Sequence, residues 1–160
     1  KLYLEAEAAD GYYRDRCVFA EDIDIYDTMS VNVKYSNGAM MSYSLNAHSP
    51  YEGWRISING TEGRLETENI YSGHGTADPN NHVTIYNRKG EVITYDIPKA
   101  TGGHGGGDER LRRQIFVGDV ADPLGRQAGS WAGIMSAIIG IAANESIKEK
   151  RLITVKDLLK

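Results

Sequence analysis

Strict alternation of apolar and polar residues between Thr28 and His48 constrains the fold of this chain more than any other feature. Along two successive runs every second residue is apolar: Met29, Val31, Val33 and Tyr35, then Ala39, Met41, Tyr43, Leu45 and Ala47. A period of two places the apolar side chains of a strand on one face, so each run predicts a half-buried β-strand. The dipeptide Asn37-Gly38 between the runs is a hairpin turn signal.

The length of this turn follows from keeping the apolar residues of both strands on one face. A two-residue loop would oppose Tyr35 to Met40 and would place the two apolar rows on opposite faces. A three-residue loop at residues 36–38 opposes Tyr35 to Ala39 and keeps both rows together. We therefore predict a type I turn with Gly38 in the left-handed conformation of a G1 bulge.

The same parity predicts two further hairpins. A four-residue loop at residues 60–63 puts Ile58 and Leu65 on one face, and a three-residue loop at residues 88–90 does the same for the apolar residues that flank it. Three hairpins with one apolar face each indicate an antiparallel sheet that is solvated on one side or covered by a partner.

Helical periodicity follows the strands along the chain. Asp108 can cap a short helix with one apolar stripe. Residues 130–143 carry apolar side chains at positions i, i+3, i+4 and i+7, which predicts a longer helix with Asn144 at its C-terminal end. Strands followed by helices predict the α+β class, here a mostly antiparallel, open β-sheet with helices packed on one face, in a single domain over residues 1–160.

The charge balance argues against nucleic acid as a partner. The chain has 18 Lys and Arg against 22 Asp and Glu, for a net charge of -4, whereas binding to phosphates needs a basic patch. The cluster of Arg110, Arg112 and Arg113 follows Asp108 and Glu109, and we interpret it as a solvated helix face. No apolar stretch reaches the ~20 residues that span a bilayer, so no membrane partner is expected.

The cysteine and histidine residues further limit the kinds of disulfide and metal chemistry that we expect. Cys17 is the one cysteine in the sequence and cannot form an internal disulfide. It fits a reducing compartment, so we expect a cytoplasmic location, with an export signal upstream as the open alternative. The histidines show no metal-ligand spacing, so no metal is expected; they are His48, His74, His82 and His104.

The densest candidate for chemistry is the segment 102–108, where five glycines surround His104 immediately before a predicted helix. Glycine lets the backbone approach a ligand closely, and an imidazole can act as general acid or base near neutral pH. The segment is neither a Walker A loop nor a GxGxxG dinucleotide fingerprint. From spacing alone, a flexible linker with a stray histidine is the simpler interpretation, and both stay open at this point.

Six motifs, in order along nearly the whole chain, resemble the C-terminal domain of the Gfo/Idh/MocA oxidoreductases, the relatives of glucose-fructose oxidoreductase and inositol dehydrogenase. They are RDRCVF at 14–19, DTMSV at 27–31, SYSLNA at 42–47, GTEGRLE at 60–66, GHGGGD at 103–108 and GIAAN at 140–144. The Gly-Thr-x-Gly-x-Leu turn is the commonest mark of this family. The His-Gly-Gly-x-Asp run is narrower and resembles that of sugar-acting subgroups, including NAD-dependent glycoside hydrolases.

The resemblance implies an architecture and a role. Such enzymes join an N-terminal Rossmann domain to an α+β domain whose open sheet often forms the dimer interface and which supplies part of the substrate pocket. The resemblance implies that His104 is catalytic and faces the nicotinamide and the sugar. It also implies Arg16, Tyr51 and Asp108 as substrate-binding residues. No cofactor-binding residue is expected in this chain, and NAD or NADP would belong to the full-length protein.

The chain departs from the family pattern by what it lacks. We find no Rossmann βαβ unit, no Glu-Lys-Pro motif and no Asp-x-x-x-His helix pair, and the sequence starts at Lys1. We therefore expect a substrate-binding and oligomerisation domain, inactive alone, that forms a homo-oligomer through its sheet and whose Rossmann domain lies upstream. The alternatives are the same domain of an NAD-dependent glycoside hydrolase and a non-catalytic binding or structural domain.

Overall fold

The described chain contains six antiparallel β-strands and four α-helices, divided between two compact units. The structure is a computed structural model that describes residues 2–73, 76–118 and 120–159. The first unit comprises Lys1–His48 and the second Ser49–Lys160.

The first unit holds helix α1 (Leu2–Asp10) and the hairpin of strands β1 (Thr28–Lys34) and β2 (Met40–Asn46). The predicted register is confirmed, because Val33 pairs with Met41 and the Tyr35 amide donates to the Ala39 carbonyl at 2.9 Å. Gly38 is left-handed at φ 88. The three-residue loop therefore keeps the alternating apolar residues of both strands on one face.

The second unit holds a four-stranded sheet in the order β3-β4-β5-β6. Its strands are β3 (Gly53–Asn59), β4 (Gly63–Ile70), β5 (Asn80–Asn87) and β6 (Val92–Pro98). Both predicted hairpin loops are confirmed by the pairing, which aligns four aliphatic residues in one row across the strands: Ile58, Leu65, Ile85 and Ile93.

The α+β class with antiparallel strands is confirmed, and the strands form two sheets instead of one continuous sheet. Within the described residues, the hydrogen-bonded ladder of β2 is not continued by β3. Pro50 lies in the segment between these strands, and proline has no amide with which to extend a ladder.

Apart from α1, the helices follow the strands, as predicted. A 3-10 turn (Gly103–Gly106) leads into α2 (Gly107–Phe116), and α3 (Ser130–Glu149) and α4 (Val155–Leu158) come later. The prediction that Asn144 ends the long helix is wrong. Residues 145–149 are compatible with a helix by intrinsic propensity, and the helix ends where Lys150 adopts a left-handed φ of 53.

The four-stranded sheet has one apolar face and one polar face. The apolar sheet face consists of nine residues that the pairing places on one side: Trp54, Ile56, Ile58, Leu65, Val83, Ile85, Ile93, Tyr95 and Ile97. Six of these nine are exposed. The buried hydrophobic residues of the described chain are Ile70 and Ile138, so most of this apolar surface is not covered by the described chain.

The described helices include none that is both long enough and apolar enough to cross a membrane.

On the polar face, His82 lies between two carboxylates. Its Nε2 is 2.8 Å from Oδ2 of Asp78, and its Nδ1 is 2.8 Å from Oδ1 of Asp96. The hydrogen bonds to Asp78 and Asp96 raise the pKa of His82. The bond to His82, with the backbone amide of Asn80, lowers the pKa of Asp78, and Lys99 also acts on that carboxylate. The charged imidazole therefore joins β6 to the segment that precedes β5.

This cluster predicts a pH-dependent contribution to stability that His82→Gln removes. Because the folded pKa of His82 is raised, its contribution is fully present below the ordinary histidine pKa of about 6.5 and is lost as pH rises through the folded value. Asp78 acts in the opposite sense, with a contribution that is lost as pH falls through its lowered pKa. The melting temperatures of both proteins from pH 5 to 9 test this: their difference should shrink above pH 6.5, and a constant difference would contradict it.

Candidate functional site

A tight glycine-rich turn brings the chain from the end of β6 into α2. Gly102 has φ 93 and ψ 178, and Gly106 has φ 80 and ψ 0. The conformation of Gly102 is accessible almost only to glycine. The Gly105 amide donates to the Gly102 carbonyl at 3.1 Å and closes the turn. This segment is therefore an ordered turn with defined hydrogen bonds.

His104 sits at the centre of this turn with a left-handed backbone, at φ 48 and ψ 43. For a residue with a Cβ this conformation costs about 1–2 kcal/mol. Residues held in such conformations cluster at functional sites. The side chain of His104 is 86% exposed, so the turn presents the imidazole to solvent and to any ligand that approaches.

Asp108 holds the imidazole in place. Nδ1 of His104 is 2.8 Å from Oδ1 of Asp108, four residues further along the chain. A Cβ on Gly103 would lie 2.5 Å from Oδ2 of Asp108, so the absence of a side chain at Gly103 leaves room for the carboxylate. The structure thus brings together two of the four predicted site residues, and we refer to this pair as the His104–Asp108 dyad.

The prediction that Asp108 caps the following helix is wrong. The residue before α2 is the left-handed Gly106, and no side-chain cap hydrogen bond forms there. Asp108 lies in the first turn of the helix, and its carboxylate bonds to His104 instead. An acid in the first turn still favours the helix through the helix dipole.

The dyad can support proton transfer. With Nδ1–H donating to the carboxylate, Nε2 of His104 is the nitrogen with the free lone pair, which can accept a proton from a ligand. A histidine oriented by a carboxylate is a common arrangement for a general base.

The two other predicted residues belong to different units. Arg16 belongs to the first unit, where Nη1 donates to Oδ2 of Asp22 at 2.7 Å. Tyr51 is half-buried just before β3, and its Cβ would be 2.9 Å from a Cβ added to Gly73. Tyr51 therefore packs closely over the backbone of Gly73.

A histidine–carboxylate pair in the first unit was not identified from the sequence. Nε2 of His48 lies 3.0 Å from Oδ2 of Asp27, and the His48 ring stacks on Phe19 at 5.1 Å between centroids. The bond to His48 lowers the pKa of Asp27. The two residues are 21 positions apart and meet because the first hairpin joins its ends, which residue spacing does not reveal.

The described residues contain no candidate metal site. Residues 2–73, 76–118 and 120–159 include no group of three His, Cys, Asp or Glu side chains that could hold a metal ion. His74, one of the four histidines considered above, lies outside the described residues.

The fold and the dyad define an antiparallel α+β domain with a candidate general base on a glycine-rich turn. Residues 5–156 match the family described as "Oxidoreductase family, C-terminal alpha/beta domain", the Gfo/Idh/MocA C-terminal domain. The chain belongs to this family, and the resemblance drawn from its motifs is confirmed.

One curated relative makes the relationship concrete. The chain is 40% identical over 153 residues to a Bacillus subtilis (strain 168) protein named "Putative oxidoreductase YteT". The match covers 92% of this chain and 35% of that relative. No solved structure is significantly similar to the chain.

The backbone geometry predicts a clear contrast between two glycines of the turn. Gly102→Ala should destabilise the protein by about 1–3 kcal/mol, because alanine does not tolerate φ 93 with ψ 178. Gly107→Ala is the matched control: Gly107 is right-handed at φ -62, and an added Cβ meets nothing within 4 Å. The control should be neutral or stabilising by up to about 1 kcal/mol. Urea unfolding measures both, and equal effects would contradict an ordered turn.

Proposed function

We propose that this chain is the substrate-binding and subunit-contacting C-terminal domain of an NAD(P)-dependent oxidoreductase that acts on sugars or sugar derivatives. The observation that carries the proposal is the His104–Asp108 dyad, with Nδ1 and Oδ1 2.8 Å apart on the glycine-rich turn. Family membership supports the oxidoreductase class. The sugar rests on the narrower likeness of the His-Gly-Gly-x-Asp run.

The dyad's part in the reaction is to handle the proton of a substrate hydroxyl. Oxidation of an alcohol to a carbonyl releases a proton from oxygen and a hydride from carbon. Nε2 of His104 takes the proton from the hydroxyl oxygen, while the hydrogen bond from Nδ1 to Asp108 keeps the ring oriented. In the reverse direction, the same imidazolium returns the proton to the carbonyl oxygen. The exposed imidazole gives a substrate free access to this nitrogen.

Substrate recognition needs further polar groups beside the dyad. Sugars present several hydroxyls, and a glycine-rich turn lets such a ligand approach the peptide groups closely. Tyr51 and Arg16 are the further substrate-binding residues that we propose, since a phenol and a guanidinium supply donors suited to sugar oxygens. Asp108 would act through His104 and as a hydrogen-bond acceptor in the pocket.

The described residues do not fit a dinucleotide. Their strands are all antiparallel, whereas a pyrophosphate is bound at the turn between a parallel strand and the helix that follows it. The nicotinamide, which accepts the hydride, would therefore be held by a Rossmann domain elsewhere in the longer protein. We expect the isolated chain to be inactive for this reason.

Substitution of His104 tests the catalytic role in the full-length protein. His104→Gln should lower kcat/KM by about 10²–10⁴-fold, the usual contribution of a general base. The side chain is exposed, so the free energy of unfolding should stay within about 0.5 kcal/mol of the wild type. His82→Gln, which removes an exposed histidine outside the turn, is the activity control.

The readouts of this experiment separate the alternatives. Net formation of NADH or NADPH with a free sugar supports the proposal, whereas cleavage of a glycoside without net redox change would favour an NAD-dependent glycoside hydrolase. A His104→Gln variant with a lower melting temperature and unchanged turnover would favour the linker interpretation of the turn.

The subunit contact that we propose uses the apolar sheet face. Six of its nine side chains are exposed, including Trp54 at 40% and Ile58 at 57%. A contiguous apolar patch of this kind marks an interaction site on a soluble protein. A second copy of the chain is the occupant we propose, in line with the role of the open sheet in this family.

Charge placed on either side of β6 tests this contact. Ile93→Glu puts a carboxylate on the apolar sheet face and should convert a dimer to a monomer, because burial of an unpaired charge is costly. Thr94→Glu, the next residue along the strand, puts the same charge on the polar face and should leave the dimer intact. Sedimentation velocity measures both, and a monomeric wild type at high protein concentration would contradict the proposal.

A further inference from the structure

A small cleft lies between α2 and the segment that follows it. Its volume is about 160 Å³. The helix contributes Arg110, Leu111 and Gln114 to the lining, and the following segment contributes Asp122 and Arg126. These three helix residues lie three, four and seven positions after Gly107, which also lines the cleft, so all four share one face of the helix. Leu111 is the apolar part of this wall, and the other four side chains named here are polar.

The segment at residues 122–127 is closed around the Asp122 carboxylate. Oδ1 accepts the Arg126 amide at 2.8 Å, and Oδ2 accepts the Gln127 amide at 2.6 Å. The Gly125 amide also donates to the Asp122 carbonyl at 3.1 Å. The two side-chain bonds, followed by the charges of Arg126 and Arg110, lower the pKa of Asp122. Arg126 is therefore anchored at the cleft by its own amide, which is a form of preorganisation.

The guanidinium groups of Arg110 and Arg126 in the cleft retain N–H donors for a ligand. Among the described residues, five other arginines each contact a carboxylate within 4.0 Å: Arg16, Arg55, Arg64, Arg112 and Arg151. No such ion pair is found for Arg110 or Arg126 in the described part of the chain. Both feel the charge of Asp122, but its two oxygens already accept backbone amides. Each guanidinium has five N–H donors in a planar fork.

Nearby acids do not neutralise the cleft. Asp108 and Glu109 lie in the first turn of the same helix, and each already has a basic partner. Asp108 bonds to His104 at 2.8 Å, and Glu109 pairs with Arg112 at 3.1 Å. Of the charged side chains that line the cleft, two are positive and one, Asp122, is negative. The described residues that line the cleft therefore carry a net positive charge.

We propose that this cleft binds an oxyanion group, a carboxylate or a phosphate, of a small-molecule ligand through Arg110 and Arg126. A guanidinium group matches the geometry of both oxyanions through bidentate hydrogen bonds. Gln114 adds an amide donor beside them, and Leu111 gives an apolar contact for the carbon skeleton next to the anion. The proposal concerns a site separate from the His104–Asp108 dyad and does not depend on the redox reaction.

Titration of the purified chain with simple probes tests the site. Inorganic phosphate and acetate, followed by glucose 6-phosphate and gluconate with glucose as the neutral comparison, are added at low ionic strength while amide NMR shifts are recorded. The anions should shift the amides of α2 and residues 120–127, and glucose should not. A preference for phosphates or for carboxylates identifies which oxyanion the cleft selects. Binding should weaken as sodium chloride is added, because salt screens exposed charges.

Matched arginine variants distinguish a site from general charge attraction. Arg110→Gln and Arg126→Gln should each weaken binding of the anion at least about tenfold, which corresponds to loss of a charged hydrogen bond. Arg112→Gln removes the same charge from the same helix outside the cleft and should change binding less than twofold. Arg110→Lys keeps the charge but loses the fork, and should restore binding only in part.

Three results would overturn the proposal. They are the absence of shifts in α2 and residues 120–127 with any anion, equal shifts with glucose, and an equal loss of binding in the Arg112→Gln control. Melting temperatures of the variants show that each is folded before its affinity is compared. Loss of activity at His104 with intact anion binding would leave this inference standing while bearing on the redox proposal alone.

Discussion

Cross-strand pairing in the correct register is the interaction on which the rest of this structure depends. A slip of one residue would move every apolar side chain of a strand to the other face. Here the register aligns Ile58, Leu65, Ile85 and Ile93 across four strands, and the polar side chains fall on the reverse face. The described chain buries few side chains fully, so backbone ladders and paired side chains on the sheet faces carry much of its order.

The apolar surface of the second unit is concentrated on one face of its sheet. The apolar sheet face is a regular array on a rigid scaffold, which suits it to contact another folded surface. The match to a relative of which this chain covers 35% fits the same interpretation.

The sequence predicted the hairpins accurately and the ends of the helices less well, for a physical reason. Turn length follows from the parity of apolar residues, which is a local property, so the loop ending in Gly38 could be deduced. The end of α3 depends on small differences in helix propensity, and the residues after Asn144 continue the helix to Glu149. The partner of Asp108 depended on the left-handed geometry of His104, which a list of residues does not contain. Arg110 and Arg126 line the same cleft because the chain turns at Asp122, which residue spacing does not reveal.

The dyad and the cleft occupy different faces of one short helix, and this arrangement has a mechanical consequence. Asp108 and Arg110 are two positions apart, a rise of about 3 Å along the helix axis, while their side chains leave the helix in different directions. An anion in the cleft would therefore contact α2 on a different face from the dyad. Binding of an anion at Arg110 and proton transfer at His104 can then proceed independently, because neither uses the side chains of the other site.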